Sequence, residues 1–142
     1  MPSSQDCLFC KIIRGEIPCR KVYEDDRVFA FLDINPVNIG HTLVVPKTHF
    51  MDLTAMPEDA AAQLFAVVHR VAKSAPNAVG ASAFNLGMNT GAAAGQLVLH
   101  AHVHVMPRFE GDGLTHWPKK HFTDEEMRAA AEKIAAALSA RS

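Results

Sequence analysis

The sequence is poor in several features that place a protein quickly, and each shortage excludes something. Its three cysteines, Cys7, Cys10 and Cys19, are too few for a disulfide framework. A reducing compartment would keep them as thiols or metal thiolates. No stretch approaches the ~20 apolar residues that span a bilayer, so a membrane is not expected as a partner. There is no surplus of basic charge: 14 Lys and Arg stand against 15 Asp and Glu, a formal net charge of -1. Such a chain has no broad positive field for an extended nucleic acid. Met1-Pro2-Ser3-Ser4-Gln5-Asp6 lacks both a basic leader and an apolar run, so the expected location is the cytoplasm. Internal repeats and low-complexity tracts are absent as well.

What is present is enough apolar material for one core, since 49% of the 142 residues are hydrophobic. One domain over 1–142 is expected. Lys21 to Glu24 and Arg27 to Asp33 read as two strands joined at Asp25-Asp26. Gly40 opens a third, His41 to Val45, which Pro46 should close. From about Pro57 to Ser74 the period turns helical, with Leu64, Val67, Val68, Val71 and Ala75 at three- and four-residue steps. Ala83 to Asn89 alternates again. The small residues Thr90 to Gly95 then lead into an apolar strand, Leu97 to Met106, stopped by Pro107. Thr123 with Glu126 makes a capping box for a last helix striped by Met127, Ala131, Ile134 and Leu138. The order implies an α+β domain: an antiparallel sheet of about five strands, one inserted helix and a C-terminal helix.

The chemistry gathers in His100-Ala101-His102-Val103-His104. Along a strand these three imidazoles face one way, while Ala101, Val103 and Val105 face the other. Each ring has two nitrogens to satisfy, so three on one face are costly without a purpose. They could converge on a catalytic zinc with an open position. Alternatively, one could be a nucleophile whose tautomer its neighbours fix. The preceding loop, with Asn89, Gly91, Gly95 and Gln96, offers backbone amides free of bulky side chains, which suits an anionic phosphate.

The run from Gly95-Gln96-Leu97-Val98-Leu99-His100 through His104-Val105-Met106-Pro107-Arg108 resembles the signature of the histidine triad (HIT) superfamily. The likeness extends through Tyr23 to Arg27, Phe31 to Pro36, Gly40 to Lys47 and His116-Trp117-Pro118. It covers Cys7 to about Pro118, leaving 119–142 as a helical extension, and leans to the Hint-type bacterial branch. The resemblance implies that His102 attacks the α-phosphorus of a nucleotide conjugate, giving a nucleotidyl-histidine that water cleaves. The substrate class implied is a nucleoside monophosphate, purine by preference, carried as a phosphoramidate, anhydride or ester. His104 would contact the phosphoryl or leaving group, and amides near Gln96 and Leu97 would stabilise phosphoryl charge. His41 would complete four histidines around the phosphate. Leu97 stands where many relatives have Ser or Thr, so a hydroxyl contact is missing. Asp33 would accept from the ribose, Ile34 with Phe31 or Phe9 would flank the base, Asn89 would touch the sugar or leaving group, and Gly95 would border the phosphate. His116 and Trp117 resemble a feature near the active-site mouth, and a homodimer is implied.

Cys7-Leu8-Phe9-Cys10 has metal-knuckle spacing but no second pair. By the resemblance, which here reaches to the galactose uridylyltransferase branch, Cys7, Cys10, His49 and His100 would close a structural zinc site. His69 and His121 read as surface residues. Two rival readings stay open: a metallohydrolase holding zinc on His100, His102 and His104, and a nucleotide- or partner-binding module without catalysis.

Overall fold

A computed structural model describes residues 5–140. The chain divides into two compact units, one ending at Asp112 and the other beginning at Gly113. In the first unit, helix α1 (Leu8–Ile13) is followed by strands β1 (Lys21–Glu24), β2 (Val28–Leu32) and β3 (Thr42–Pro46), helix α2 (Glu58–Ala78), and strands β4 (Ala83–Gly87) and β5 (Val103–Arg108). The second unit contains helix α3 (Asp124–Ala140). The sheet runs β1-β2-β3-β5-β4 with every neighbouring pair antiparallel. The α+β architecture expected from the sequence is therefore the one found.

Alternation along the strands gives the sheet two apolar faces. On one, Val28 and Ala30 of β2, Val44 of β3, and Val103 and Val105 of β5 pack against Ala60, Leu64, Val67, Val68 and Val71 of α2. On the other, Phe29, Phe31, Leu43 and Val45 pack against Phe9, Cys10 and Ile12 of α1. Full burial of side chains of this size contributes about 1.5–3 kcal/mol each, so these two layers hold the unit together. Ala101 belongs to the α2 side together with Val103 and Val105. The intervening histidines therefore share the α1 side, as the spacing implied.

Four expected boundaries need correction. The strand expected from Leu97 begins only at Val103. Upstream of it the backbone and side chains bond elsewhere: Ala101 N–H donates to the Phe50 carbonyl, while Gln96 Nε2 donates to the carbonyls of Met51 and Val98. The two prolines expected to stop strands are themselves strand residues. Pro46 makes the last β2–β3 pair, with Val28. Pro107 pairs with Phe84 after the β3–β5 ladder has ended at Thr42 and Val105. At both places the missing N–H leaves the neighbouring ladder intact. Helix α2 also runs past Ser74 and through Pro76 to Ala78. A proline removes one intrahelical bond, and in this last turn Val79 and Ala81 still donate to the Ala75 and Pro76 carbonyls. The capping box of α3 forms as read, with Thr123 N–H donating to Glu126 and Glu126 N–H to Thr123 Oγ1.

Candidate functional site

The histidines fall into two groups, one with the cysteines of α1 and one with Asp33. His100, fully buried, turns toward α1. Its Nε2 faces the Pro46 carbonyl at 2.8 Å and must carry the proton. Nδ1 is thereby left with its lone pair. Around that nitrogen lie Cys7 Sγ at 3.4 Å, Cys10 Sγ at 3.5 Å and His49 Nδ1 at 3.2 Å. Cys10 Sγ is also 3.4 Å from His49 Nδ1. All four donor atoms fall within 4.8 Å of one another. Two thiols and two imidazoles at these separations match tetrahedral zinc, with Zn–S near 2.3 Å and Zn–N near 2.0–2.1 Å. The bond from Nε2 to a carbonyl is the outer support such a ligand normally has. Burial pushes the Cys10 thiol up to about 11, with the neighbouring Cys7 adding to the shift, so a cation is needed to draw out the thiolate. Burial likewise pulls His100 down to about 4, against the pull of the Pro46 carbonyl.

The sulfurs come from helix α1, six residues whose apolar letters Leu8, Phe9, Ile12 and Ile13 are too few to show a helical period. Cys7 is its N-cap, and Cys10 N–H points back at Cys7 Sγ. Phe9, between the two cysteines, sets its ring edge-on against His102, with centroids 5.0 Å apart.

His102 and His104 form the second group with His41 and Asp33. The buried His102 places Nδ1 2.7 Å from the His100 carbonyl oxygen. Nδ1 is thus the protonated nitrogen and Nε2 keeps a free pair. Burial lowers the ring's affinity for a second proton, and the His100 carbonyl and Asp33 only partly offset this. The His104 ring lies 5.0 Å from that of His102, centroid to centroid. His41 Nε2 is 2.9 Å from His104 Nδ1 and 3.6 Å from Asp33 Oδ2. Burial first, then His102 and His41, hold His104 down at about 4, while burial lowers His41 against the opposing charge of Asp33. Three neutral imidazoles therefore stand side by side at neutral pH. They do not converge on one point with His100, which the buried cysteine cluster claims.

The remaining candidates divide between surface and scaffold. Ile34 and Leu97 are exposed, at 86% and 92%, whereas Phe9 and Phe31 are buried. Asp33 uses Oδ1 to accept the Asn35 N–H, leaving Oδ2 toward His41. The Gln96 side chain accepts the Gly91 N–H, and its backbone N–H donates to the Gly91 carbonyl, so this residue chiefly ties the loop. Gly95 is left-handed, at φ +93°, and a Cβ there would sit 3.7 Å from the Asn89 amide nitrogen. His69 and His121 are exposed. Sequence reasoning missed the Pro46 carbonyl and the Val37 N–H, which donates to His41 Nδ1 at 3.1 Å. Both are backbone groups, which no residue letter announces.

A model of the HIT domain matches residues 14–111. An adenylylsulfatase from Arabidopsis thaliana is 47% identical over 109 residues, which are 77% of this chain and 55% of that protein. An adenosine 5'-monophosphoramidase from Schizosaccharomyces pombe is 37% identical over 134 residues, 93% of this chain and 98% of the relative. Among solved structures, a Streptococcus mutans protein superposes with a TM-score of 0.90 at 43% identity, covering 96% of this chain and 87% of that one. A Zn-bound histidine triad family protein from Mycobacterium smegmatis gives 0.75 at 40% identity, covering 95% and 99%.

Proposed function

From the premise that this chain belongs to the HIT domain family, with nucleotide-binding hydrolases among its relatives, we propose that it cleaves or transfers the nucleotidyl group of nucleoside monophosphate conjugates by covalent catalysis on His102. The observation that carries the reading is the 2.7 Å bond from His102 Nδ1–H to the His100 carbonyl. It aims a neutral ring with Nε2 unprotonated, the form an imidazole nucleophile requires.

In the first half-reaction Nε2 attacks the α-phosphorus, a P–N bond forms, and the bond to the leaving group breaks as that group takes up a proton from solvent. The ring becomes cationic, and its Nδ1–H remains on the His100 carbonyl, which stabilises the charge. Water then attacks phosphorus, the P–N bond breaks, and the nucleoside monophosphate leaves as a proton of the water passes to solvent and the ring returns to its neutral form. If another nucleophile replaces water, the same intermediate gives transfer. His104 contacts the phosphoryl or leaving group, with His41 behind it. Because the Gln96 amide already serves Gly91, the amide contact to phosphoryl oxygen falls to Leu97. Asp33 Oδ2 accepts from the ribose, Ile34 covers the base, and Asn89 and Gly95 border the sugar and phosphate. A purine is the preferred base, in keeping with the adenosine named in the fission-yeast relative.

Cys7, Cys10, His49 and His100 would hold a structural zinc, a reading supported by the donor set and by the Zn-bound relative. A zinc ion held there would supply a structural cross-link between Cys7 and Cys10 at α1 and His100 ahead of β5, leaving phosphorus chemistry to His102. That assignment of His100 weighs against the metallohydrolase alternative. The chain would act in the cytoplasm as a homodimer; edge strand β4, with Phe84 and Leu86 on its surface, supports self-association. The test is to mix the intact protein with an adenosine phosphoramidate, quench, and look by mass for an acid-labile adenylyl adduct. An adduct on wild type and none on His102→Ala is expected. Turnover with no adduct, and undiminished in His102→Ala, would overturn the reading.

A further inference from the structure

The loop between β2 and β3 is closed by a set of bonds that meet at His41. Asp33 N–H donates to the His41 carbonyl, and His41 N–H donates to the Asn38 carbonyl. Asn38 in turn fastens the loop to β5, its Nδ2 donating to the Pro107 carbonyl and to Asp112 Oδ2. Within this frame the Val37 N–H points at His41 Nδ1, 3.1 Å away. A backbone N–H can only donate, so Nδ1 must be the acceptor and the hydrogen of the neutral ring sits on Nε2. That Nε2–H faces His104 Nδ1 at 2.9 Å, against 3.6 Å to Asp33 Oδ2, so it bonds to the imidazole. His104 Nδ1 is then also an acceptor. The hydrogen of a neutral His104 has one place left, Nε2.

We infer that the Val37 amide and His41 form a tautomer lock, which keeps His104 as an Nε2–H donor toward the reacting phosphoryl group. The inference rests on the function proposed above for what His104 does, but not for which nitrogen carries its proton. Within it His41 is a positioning residue: it acts through His104. The lock complements the one on His102, where a carbonyl forces the proton onto Nδ1. Two adjacent neutral histidines are thereby set in opposite tautomers, one offering a lone pair at Nε2 and the other a proton at Nε2. A nucleophile and a hydrogen-bond donor to the phosphoryl oxygens need that pairing. Left free, both rings would sample both forms.

The lock also decides what Asp33, His41 and His104 are not. Their three ligand atoms lie close enough together to hold a divalent ion. Ligation through His41 Nε2 would move its hydrogen to Nδ1, directly against the Val37 N–H.

The measurement is long-range proton–nitrogen correlation on the uniformly nitrogen-15-labelled full chain at neutral pH, which reports each ring's tautomer without any variant. His41 and His104 are expected as Nε2–H and His102 as Nδ1–H. Finding His41 or His104 as Nδ1–H, or His104 doubly protonated, overturns the lock. In His41→Ala the His104 signals should become a tautomer mixture, and kcat on an adenosine phosphoramidate should fall about tenfold with KM changed less than about twofold. His41→Gln, whose amide can still donate to Nδ1, should recover most of both. An unchanged His104 tautomer in His41→Ala would sink the inference. So would uptake of a second equivalent of Zn2+ that shifts His41 Nε2. If the adenylyl adduct is missing while the tautomers are as stated, the functional reading fails and the lock stands.

Discussion

The carbonyl oxygen of His100 and Nδ1 of His102 are 2.7 Å apart, a bond between residues two positions apart in the chain that determines which nitrogen of His102 is free. His100 itself faces the cysteines, so the residue beside the proposed metal also orients the proposed nucleophile.

His102→Ala removes the proposed nucleophile and leaves the other proposed binding residues in place. Turnover of an adenosine phosphoramidate should fall about 10³-fold or more, while adenosine monophosphate still binds within a few-fold of wild type. Single-turnover kinetics beside isothermal titration separates the two effects, and substantial residual turnover would refute the assignment.

Protein purified without chelators should carry about one zinc per chain by elemental analysis. Cys7→Ser/Cys10→Ser should lose it and melt at a lower Tm, since the buried His100 and the half-buried His49 would then face each other without a cation. Undetectable zinc in wild type would mean that the cluster consists of two buried thiols beside two imidazoles.

Asp33 has one oxygen in the Asn35 turn and the other toward His41. Asp33→Asn keeps a carbonyl oxygen for the turn and should lose little stability, whereas Asp33→Ala should cost about 1 kcal/mol. If Oδ2 accepts from the ribose, the preference of wild type for ribose over 2'-deoxyribose should disappear in Asp33→Ala. An unchanged affinity ratio would leave Asp33 a turn residue alone.

Stability should fall in mild acid. His104 is held at about 4 in the folded chain against an ordinary 6.5, and His41 is lowered too. The unfolded chain therefore takes up protons first as pH drops. The contribution of these rings is complete above pH 6.5 and is lost on the way to about pH 4. Thermal melts across that window should show a falling Tm, with a shallower slope in His104→Asn; equal slopes would place the acid sensitivity elsewhere.

Gly40 precedes His41 with φ +86°, and a Cβ there would lie 3.1 Å from both γ-carbons of Val79 and 3.3 Å from Pro107. Gly40→Ala should destabilise by about 1–3 kcal/mol. Because it displaces the loop that carries Asp33 and His41, kcat should fall as well; denaturant melts and steady-state kinetics on one preparation test both.

Much of the fold was legible in the sequence. Period-two and helical spacing located β1 to β4 and α2, Thr123 and Glu126 marked the start of α3, and the alternation from His100 to His104 indicated one shared side. The sequence misled where long-range backbone bonds decide. Ala101 bonds to Phe50 across 51 positions, so the ladder of β5 begins later than its apolar letters suggest. Helix α1, six residues long, is too short to display a period. Histidine partners were visible only as letters: that Pro46 and Val37 would govern His100 and His41 depends on atoms every residue possesses.

The carbonyl of Pro46 holds His100, and the carbonyl of His100 holds His102. In mechanical terms the second imidazole is the last link of a short linkage anchored at the end of β3, and angular error accumulates along it. A slight tilt at Pro46 reaches His102 after passing through two joints, whereas His41 and His104 are braced from a separate loop. The two supports sit at opposite ends of β3, His41 just before it and Pro46 at its close, and their alignment is a tolerance set by the stiffness of that strand and its partners.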